Sequence, residues 1–297
     1  MNILFKSLRS SMLLATAALF SLVLGGCGGG SGTAGSSLSL GITDAPVDGV
    51  TSVVIEFTEV QVHSTTGSTL DFLLPTPQQM DLMQLTSGKS TLLLDHQSLT
   101  AGQYDWIRLL GDETHSYVMT STGSQMPLQI PSFAQTGLKL IHPFTLTANG
   151  VASFVIDFNL RQSLHIANSA YILRPTLRIV DATTTGGITG TVDATLINAQ
   201  GCTDVNGGAV YVYSGAGVTP VDVNTTLTTV QPLTTASVTL INGVWQYTAA
   251  YLNPGAYTAA FTCQSTSDSP DTTDNIVFQD AADVTVVSGQ NATHNFP

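Results

Sequence analysis

VVIEFTEVQVH, residues 53–63, decides the fold. Val53, Ile55 and Phe57 are apolar at every second position, the repeat of a strand with one face buried. The apolar parity then flips to Val60 and Val62. Because side chains alternate faces, the flip would turn the later residues outward unless one residue were inserted, so a β-bulge is expected near Thr58 and Glu59. Working outward, Phe154, Ile156, Phe158 and Leu160 keep the same period, as do Tyr171, Leu173, Leu177 and Ile179; both read as core strands. On that reading Asp157, Asn159 and Arg161 share the opposite face of the first, and Arg174 and Arg178 share a face of the second. Beyond the first thirty residues helical periodicity is nearly absent. Short Val, Ile, Thr, Phe and Tyr runs are broken instead by Gly, Asn-Gly and Pro, which predicts an all-β chain of sandwich type.

An internal echo divides it. Leu99, Gly102 and Tyr104 repeat as Leu252, Gly255 and Tyr257 in the pattern L-x-x-G-x-Y, each before an apolar strand. The pattern fits a tyrosine corner, in which a hydroxyl ties a loop to its strand. Two copies predict tandem β-sandwich domains, with turn residues at 181–187 between them. The expected organisation is a signal segment 1–26, a linker 27–37, a first sandwich 38–181, a linker 182–189 and a second sandwich 190–297.

Charge is sparse and acidic: eight basic residues against twenty acidic, a net charge of −12. Past the signal the cations are Lys89, Arg108, Lys139, Arg161, Arg174 and Arg178, and from 186 onward there is no Lys or Arg. A chain this negative repels phosphate backbones, which excludes nucleic acid as the expected partner.

The opening MNILFKSLRSSMLLATAALFSLVLGGC has a basic start (Lys6, Arg9) and an apolar run of about thirteen residues, short of the roughly twenty that span a bilayer. Leu24-Gly25-Gly26-Cys27 resembles the lipobox of bacterial lipoproteins. That resemblance implies that Cys27 is acylated and becomes the mature N-terminus. Gly28 stands where Asp signals inner-membrane retention, so the expected location is the outer membrane, lipid-anchored, on its periplasmic or surface face. GGGSGTAGSS follows, a flexible spacer spanning roughly 17 Å. Cys202 and Cys263 remain as a disulfide pair or as two free thiols, and an exported protein permits the bond.

Residues 38–181 resemble a bacterial lipoprotein domain of unknown function, family 4382, through LSLGITDAPVD, VVIEFTEVQVH, LTAGQYDWIRL, QTGLKLIHPFTL, DFNLRQS and YILRPTLR. Thr100 stands where that family has proline and Asn159 where Asp is common. Residues 186–297 resemble the prealbumin-like regulatory modules of carboxypeptidases and surface proteins through ITGTV, AVYVY and NGVWQYTAAYLNPGAYTAAF. This second resemblance implies a core of Trp245, Tyr247, Leu252 and Tyr257. With no lysine in this half, a Lys–Asn isopeptide lock is excluded.

Five candidate sites follow. In ITDAPVDGV (42–50), Asp44 and Asp48 read as a turn around Pro46 and not as calcium ligands, since calcium takes six to eight oxygens and two carboxylates are local. Arg161, Arg174 and Arg178 read either as cross-strand ion pairs or as a site for an anionic ligand. Asp204, Asn206, Asp268, Asp271 and Asp274 lie on two loops that a Cys202–Cys263 bond would bring together, offering oxygens to Ca²⁺ or simply solvated. In AVYVY, Tyr211 and Tyr213 form an exposed platform for a sugar or peptide if Val210 and Val212 face inward. His63, His96, His115, His142, His165 and His294 show no paired zinc spacing, and no nucleophile elbow, phosphate loop or CxxC is present.

The expected function is a non-enzymatic interaction or scaffold lipoprotein, held to the bilayer by its acyl anchor and meeting an envelope partner without a cofactor. A glycan-binding lipoprotein is the alternative, and an uncharacterised hydrolase the third reading.

Overall fold

The computed structural model describes residues 35–199, 202, 206–227 and 230–297. The signal stretch, Cys27, most of the spacer and Asp204 lie outside the described residues.

The first half runs β1 (Ser37–Thr43), β2 (Val50–Ser64), β3 (Thr69–Asp81), β4 (Thr91–Ser98), β5 (Gly102–Thr120) and β6 (Gln125–Gln129). It continues as β7 (Leu138–Leu146), β8 (Val151–Asp157), the one-turn helix α1 (Leu160–Ser163), β9 (Leu164–Ala167), β10 (Ala170–Leu173) and β11 (Arg178–Asp181). The second half contains β12 (Gly186–Val192), β13 (Asn206–Ser214), β14 (Thr234–Ile241) and β15 (Val244–Leu252), then β16 (Gly255–Thr262), β17 (Asp280–Val286) and β18 (Asn291–Thr293). No described helix is long and apolar enough to cross a membrane.

The chain is all-β, as its alternation predicts, and builds two β-sandwich halves. In the first, a four-stranded sheet ordered β11-β8-β1-β4 faces a seven-stranded sheet ordered β3-β2-β5-β6-β10-β9, with β7 added to β5. Leu38, Leu40, Ile42 and Ile156 of one sheet meet Val53, Ile55, Ile107 and Leu109 of the other in one core, each fully buried. In the second half one sheet, ordered β17-β16-β13-β14-β15-β12-β18, folds over a separate core that includes Ile188, Val210, Val212, Leu252 and Phe261.

The expected bulge is present. The register of β2 against both β3 and β5 shifts between Phe57 and Glu59. Val53, Ile55, Phe57, Val60 and Val62 therefore all stay buried despite the flip of parity. Both tyrosine corners form as well. The Tyr104 hydroxyl donates to the Thr100 carbonyl at 2.6 Å, and that of Tyr257 to the Asn253 carbonyl at 2.7 Å. Leu99 and Leu252 are buried beneath their turns. Cys202 and Cys263 are joined as a disulfide. Tyr247, Leu252 and Tyr257 are core residues, while Trp245 packs against them only partly buried.

Two strand expectations need correction. The alternation from Phe154 to Leu160 is not one strand: β8 ends at Asp157, and Asn159, at φ 38°, turns the chain into α1. Phe158 and Leu160 are buried because that turn is buried. Likewise 171–179 is not one strand. β10 and β11 belong to different sheets, and Pro175 lies between them. Proline has no amide to give to a ladder, which favours a crossing there.

Candidate functional site

The turn after β8 sets the seam between the halves. Asn159 reverses the chain, and Arg161 then points into the second half instead of across a solvated sheet. Its side chain is 1% exposed. Nη2 donates to Asp48 Oδ2 at 2.8 Å, Nη1 to the Ser265 carbonyl at 2.7 Å, and Nε to Thr235 Oγ1 at 3.3 Å. The guanidinium also lies 5.6 Å from the centre of the Tyr211 ring. A buried cation needs such full satisfaction, because desolvation costs several kcal/mol per ion. Beside it, Asn159 Nδ2 donates to the Leu233 carbonyl at 3.2 Å and Gln162 donates to the Pro232 carbonyl.

The other two arginines also reach the second half. Arg178 pairs with Asp157 at 2.7 Å, its direct cross-strand partner, and donates to the Tyr251 carbonyl. Arg174 is 59% exposed and lies 3.8 Å from Asp271, which also accepts from His165 Nδ1 at 2.8 Å. The cross-strand alternative therefore describes Arg178, and Arg161 and Arg178 are closed to an outside anion. Two of the remaining cations, Arg108 and Lys139, lie over the ring of Trp106, each 4.6 Å from its centre.

The ITDAPVD loop is more than a turn. Asp44 Oδ1 accepts from the Leu160 amide at 3.0 Å, and Asp48 holds Arg161. The two carboxylates thus fix the start of α1 from more than a hundred residues away. Burial first, then the nearby Asp157 carboxylate, pushes Asp44 well above its ordinary value of 3.8, against the pull of the Leu160 and Ala45 amides and of Arg161. An acid whose value is raised by folding stabilises fully below its unfolded value, and that contribution is lost as pH rises through the folded one. Asp44→Asn keeps the acceptor for Leu160 and removes the charge. It is expected to raise stability at pH 7 and to flatten the decline of stability above about pH 4. Urea unfolding from pH 4 to 8 measures this, and parallel curves for both proteins would refute it.

The tyrosine platform does not form. Ala209 to Tyr213 are buried on both faces of β13. Val210 and Val212 enter the main core, whereas Tyr211 and Tyr213 pack with Val223, Ala260 and Phe278 under the loops that follow β13 and β16. Tyr211 donates to Asp268 Oδ2 at 2.5 Å, and Tyr213 to the Val221 carbonyl. Burial holds both hydroxyls above their ordinary value, so they remain neutral donors. The sequence showed the two alternating sets but not that loops cover the outer one.

The acidic loop is partly gathered. Asp268 and Asp274 come together with Asp222, which the sequence reading missed, with one oxygen of each within 4.8 Å of the others. Asp271 turns away to His165, Asp204 lies outside the described residues, and the side chain of Asn206 is likewise not described. The gathered oxygens already have protein donors: the Val223 amide and Tyr211 on Asp268, the Ser269 amide on Asp274, and the Asp274 amide on Asp222. Three carboxylates fall short of the six to eight oxygens that calcium takes.

Above the seam lies a cleft of about 610 Å³. Val47 of the β1–β2 loop, Val50 at the start of β2, Leu164, Ile166 and Tyr171 line it from the first half, and residues 266–271 line it from the second. Ile166 is 63% exposed. The cleft's lining is mixed, with Asp48, Ser121, Asp268 and Asp271 among the apolar side chains, and a concavity that combines apolar walls with polar groups is the usual form of a binding site.

Residues 35–175 match the family described as Domain of unknown function (DUF4382). No curated protein matches the chain. Among solved structures, GBS52, the minor pilin of the Gram-positive pathogen Streptococcus agalactiae, is similar at 12% identity, covering 88% of this chain and 94% of that one with a TM-score of 0.21. A leucine-rich repeat protein from Bacteroides thetaiotaomicron is similar at 14% identity over 88% of this chain, with a TM-score of 0.23; the match spans 26% of that protein. Likenesses of this size carry no argument about fold or function.

Proposed function

We propose, for a chain whose residues 35–175 match the DUF4382 family, the role of a lipid-anchored, non-enzymatic interaction module of the bacterial envelope. The observation that carries this reading is the buried Arg161 seam. It ties two sandwiches together within one compact unit and leaves a cleft along their junction. Presentation on a tied pair lowers the ordering cost of binding, and an acyl anchor at Cys27 would keep the cleft near the membrane. The occupant is an envelope protein. A glycan is the second reading, supported by Tyr171, which lines the cleft together with Asp271.

One experiment tests anchor and cleft together. Intact cells carrying the wild type, Ile166→Asp or Cys27→Ser are cross-linked and fractionated. The wild type is expected to sediment with membranes in a cross-linked species. Ile166→Asp should lose about tenfold of that species with its melting temperature unchanged. Cys27→Ser should appear in the soluble fraction. Equal cross-linking by Ile166→Asp removes the cleft from the account, and a Cys27→Ser product still bound to membranes removes the anchor.

A further inference from the structure

The longest strand carries a second irregularity, far from the seam. Opposite Val54 on β2 stands Tyr117, but opposite Glu56 stands Asp112. Residues 113–116 of β5 are thus looped out against a single step of β2. Bulges re-aim side chains, and this one returns His115 onto the strand pair. Ser116 fastens it: its hydroxyl accepts from the Glu56 amide at 3.1 Å and donates to the Asp112 carbonyl at 2.9 Å.

The result is a convergence of three side chains on one point. His115 Nδ1 lies 3.1 Å from Glu56 Oε1 and 3.3 Å from Asp112 Oδ2. One oxygen of each carboxylate and the ring nitrogen all fall within 4.8 Å of one another. The remaining oxygens are already held elsewhere. Glu56 Oε2 accepts from Gln79 Nε2 at 3.1 Å, and Asp112 Oδ1 accepts from the Thr114 amide at 2.8 Å and hydroxyl at 2.7 Å. Glu56 is 7% exposed, whereas the His115 side chain is 60% exposed. The point of convergence therefore has a buried floor and an open side, beside a shallow hollow lined by Thr114, Tyr117 and Gln125.

We propose that Glu56, Asp112 and His115 form a three-ligand site for a divalent first-row metal of the zinc type, with its fourth position open to solvent. An ordinary His–carboxylate pair needs one acid, and here two acids address the same nitrogen. Ligand atoms 2.0–2.1 Å from zinc at tetrahedral angles lie about 3.3–3.4 Å from one another, close to the two separations observed. Imidazole nitrogen selects zinc, copper, iron or nickel over calcium and magnesium. Gln79 and Thr114 supply the outer hydrogen bonds that orient carboxylate ligands before the metal arrives. None of this depends on the cleft or the anchor.

The test uses the full chain in detergent, stripped by a chelator and titrated with zinc by calorimetry. The wild type is expected to bind one equivalent and to melt at higher temperature with zinc than without. His115→Ala should lose affinity at least ~100-fold, and Gln79→Ala roughly 10- to 100-fold, with the melting temperatures of the stripped proteins unchanged. His96→Ala, which removes a histidine exposed beside Asp95, should bind as the wild type does. Equal affinity in His115→Ala and wild type, loss in His96→Ala instead, or no zinc uptake by the wild type would each overturn the site and leave His115 as a salt-bridge residue.

Discussion

Arg161→Ala is expected to destabilise the protein by about 3–5 kcal/mol, the range seen when one partner of a buried ion pair is removed. Three groups lose their donor together: Asp48, only 12% exposed, the Ser265 carbonyl and the Thr235 hydroxyl. Asp48 then carries a charge at the seam with no cation against it. Because Asp48 and Arg161 belong to one half, and Ser265 and Thr235 to the other, the loss falls on the junction itself. The wild type should unfold in one transition and the variant in two, since the halves have separate cores. Arg161→Lys should recover little, because one ammonium cannot replace three nitrogens in a planar fork. Arg174→Ala is the control. Its partner is 3.8 Å away and its side chain mostly exposed, so the change should stay within about 0.5 kcal/mol. Urea unfolding of the three variants measures all of this. Similar midpoints for Arg161→Ala and Arg174→Ala would end the claim that the seam is held by the buried guanidinium.

Replacing Cys202 and Cys263 together by serine should cost about 4 kcal/mol, from the chain entropy released when a loop closed over a separation of 61 residues is opened. The bond joins the segment before β13 to the end of β16, so the second half should lose stability and unfold ahead of the first. Its absence also frees residues 264–271, which carry the Ser265 carbonyl and Asp268. The double variant should therefore weaken the seam as well, and combining it with Arg161→Ala should cost less than the sum of the two. A loss below about 1 kcal/mol would show that neighbouring hydrogen bonds hold these loops without the disulfide.

Much of the fold was legible because its signals are local. The parity flip at Thr58–Glu59 required a bulge, and L-x-x-G-x-Y required a corner, each within six or so residues of chain. Cys202 and Cys263 could be read as a pair or as two free thiols, and they are joined. The candidate sites were not legible in the same way. Asp48 and Arg161 are 113 residues apart, and Arg161 sits in a stretch whose period-two pattern mimicked a strand. Tyr211 and Tyr213 alternate with valines as on any half-exposed strand, and only the loops folded across them make that face interior. His115 looked isolated because Glu56, its partner, lies 59 residues earlier and a bulge was needed to bring them together.

The sequence by itself determined that this chain is built mainly of strands, where β2 kinks and which loops Tyr104 and Tyr257 fasten, since side-chain alternation and turn chemistry act between neighbours along the backbone. Which charges found partners was decided only by the tertiary structure. Burial makes an unpaired charge costly, and a residue is buried by whatever surface folds over it, wherever in the chain that surface begins.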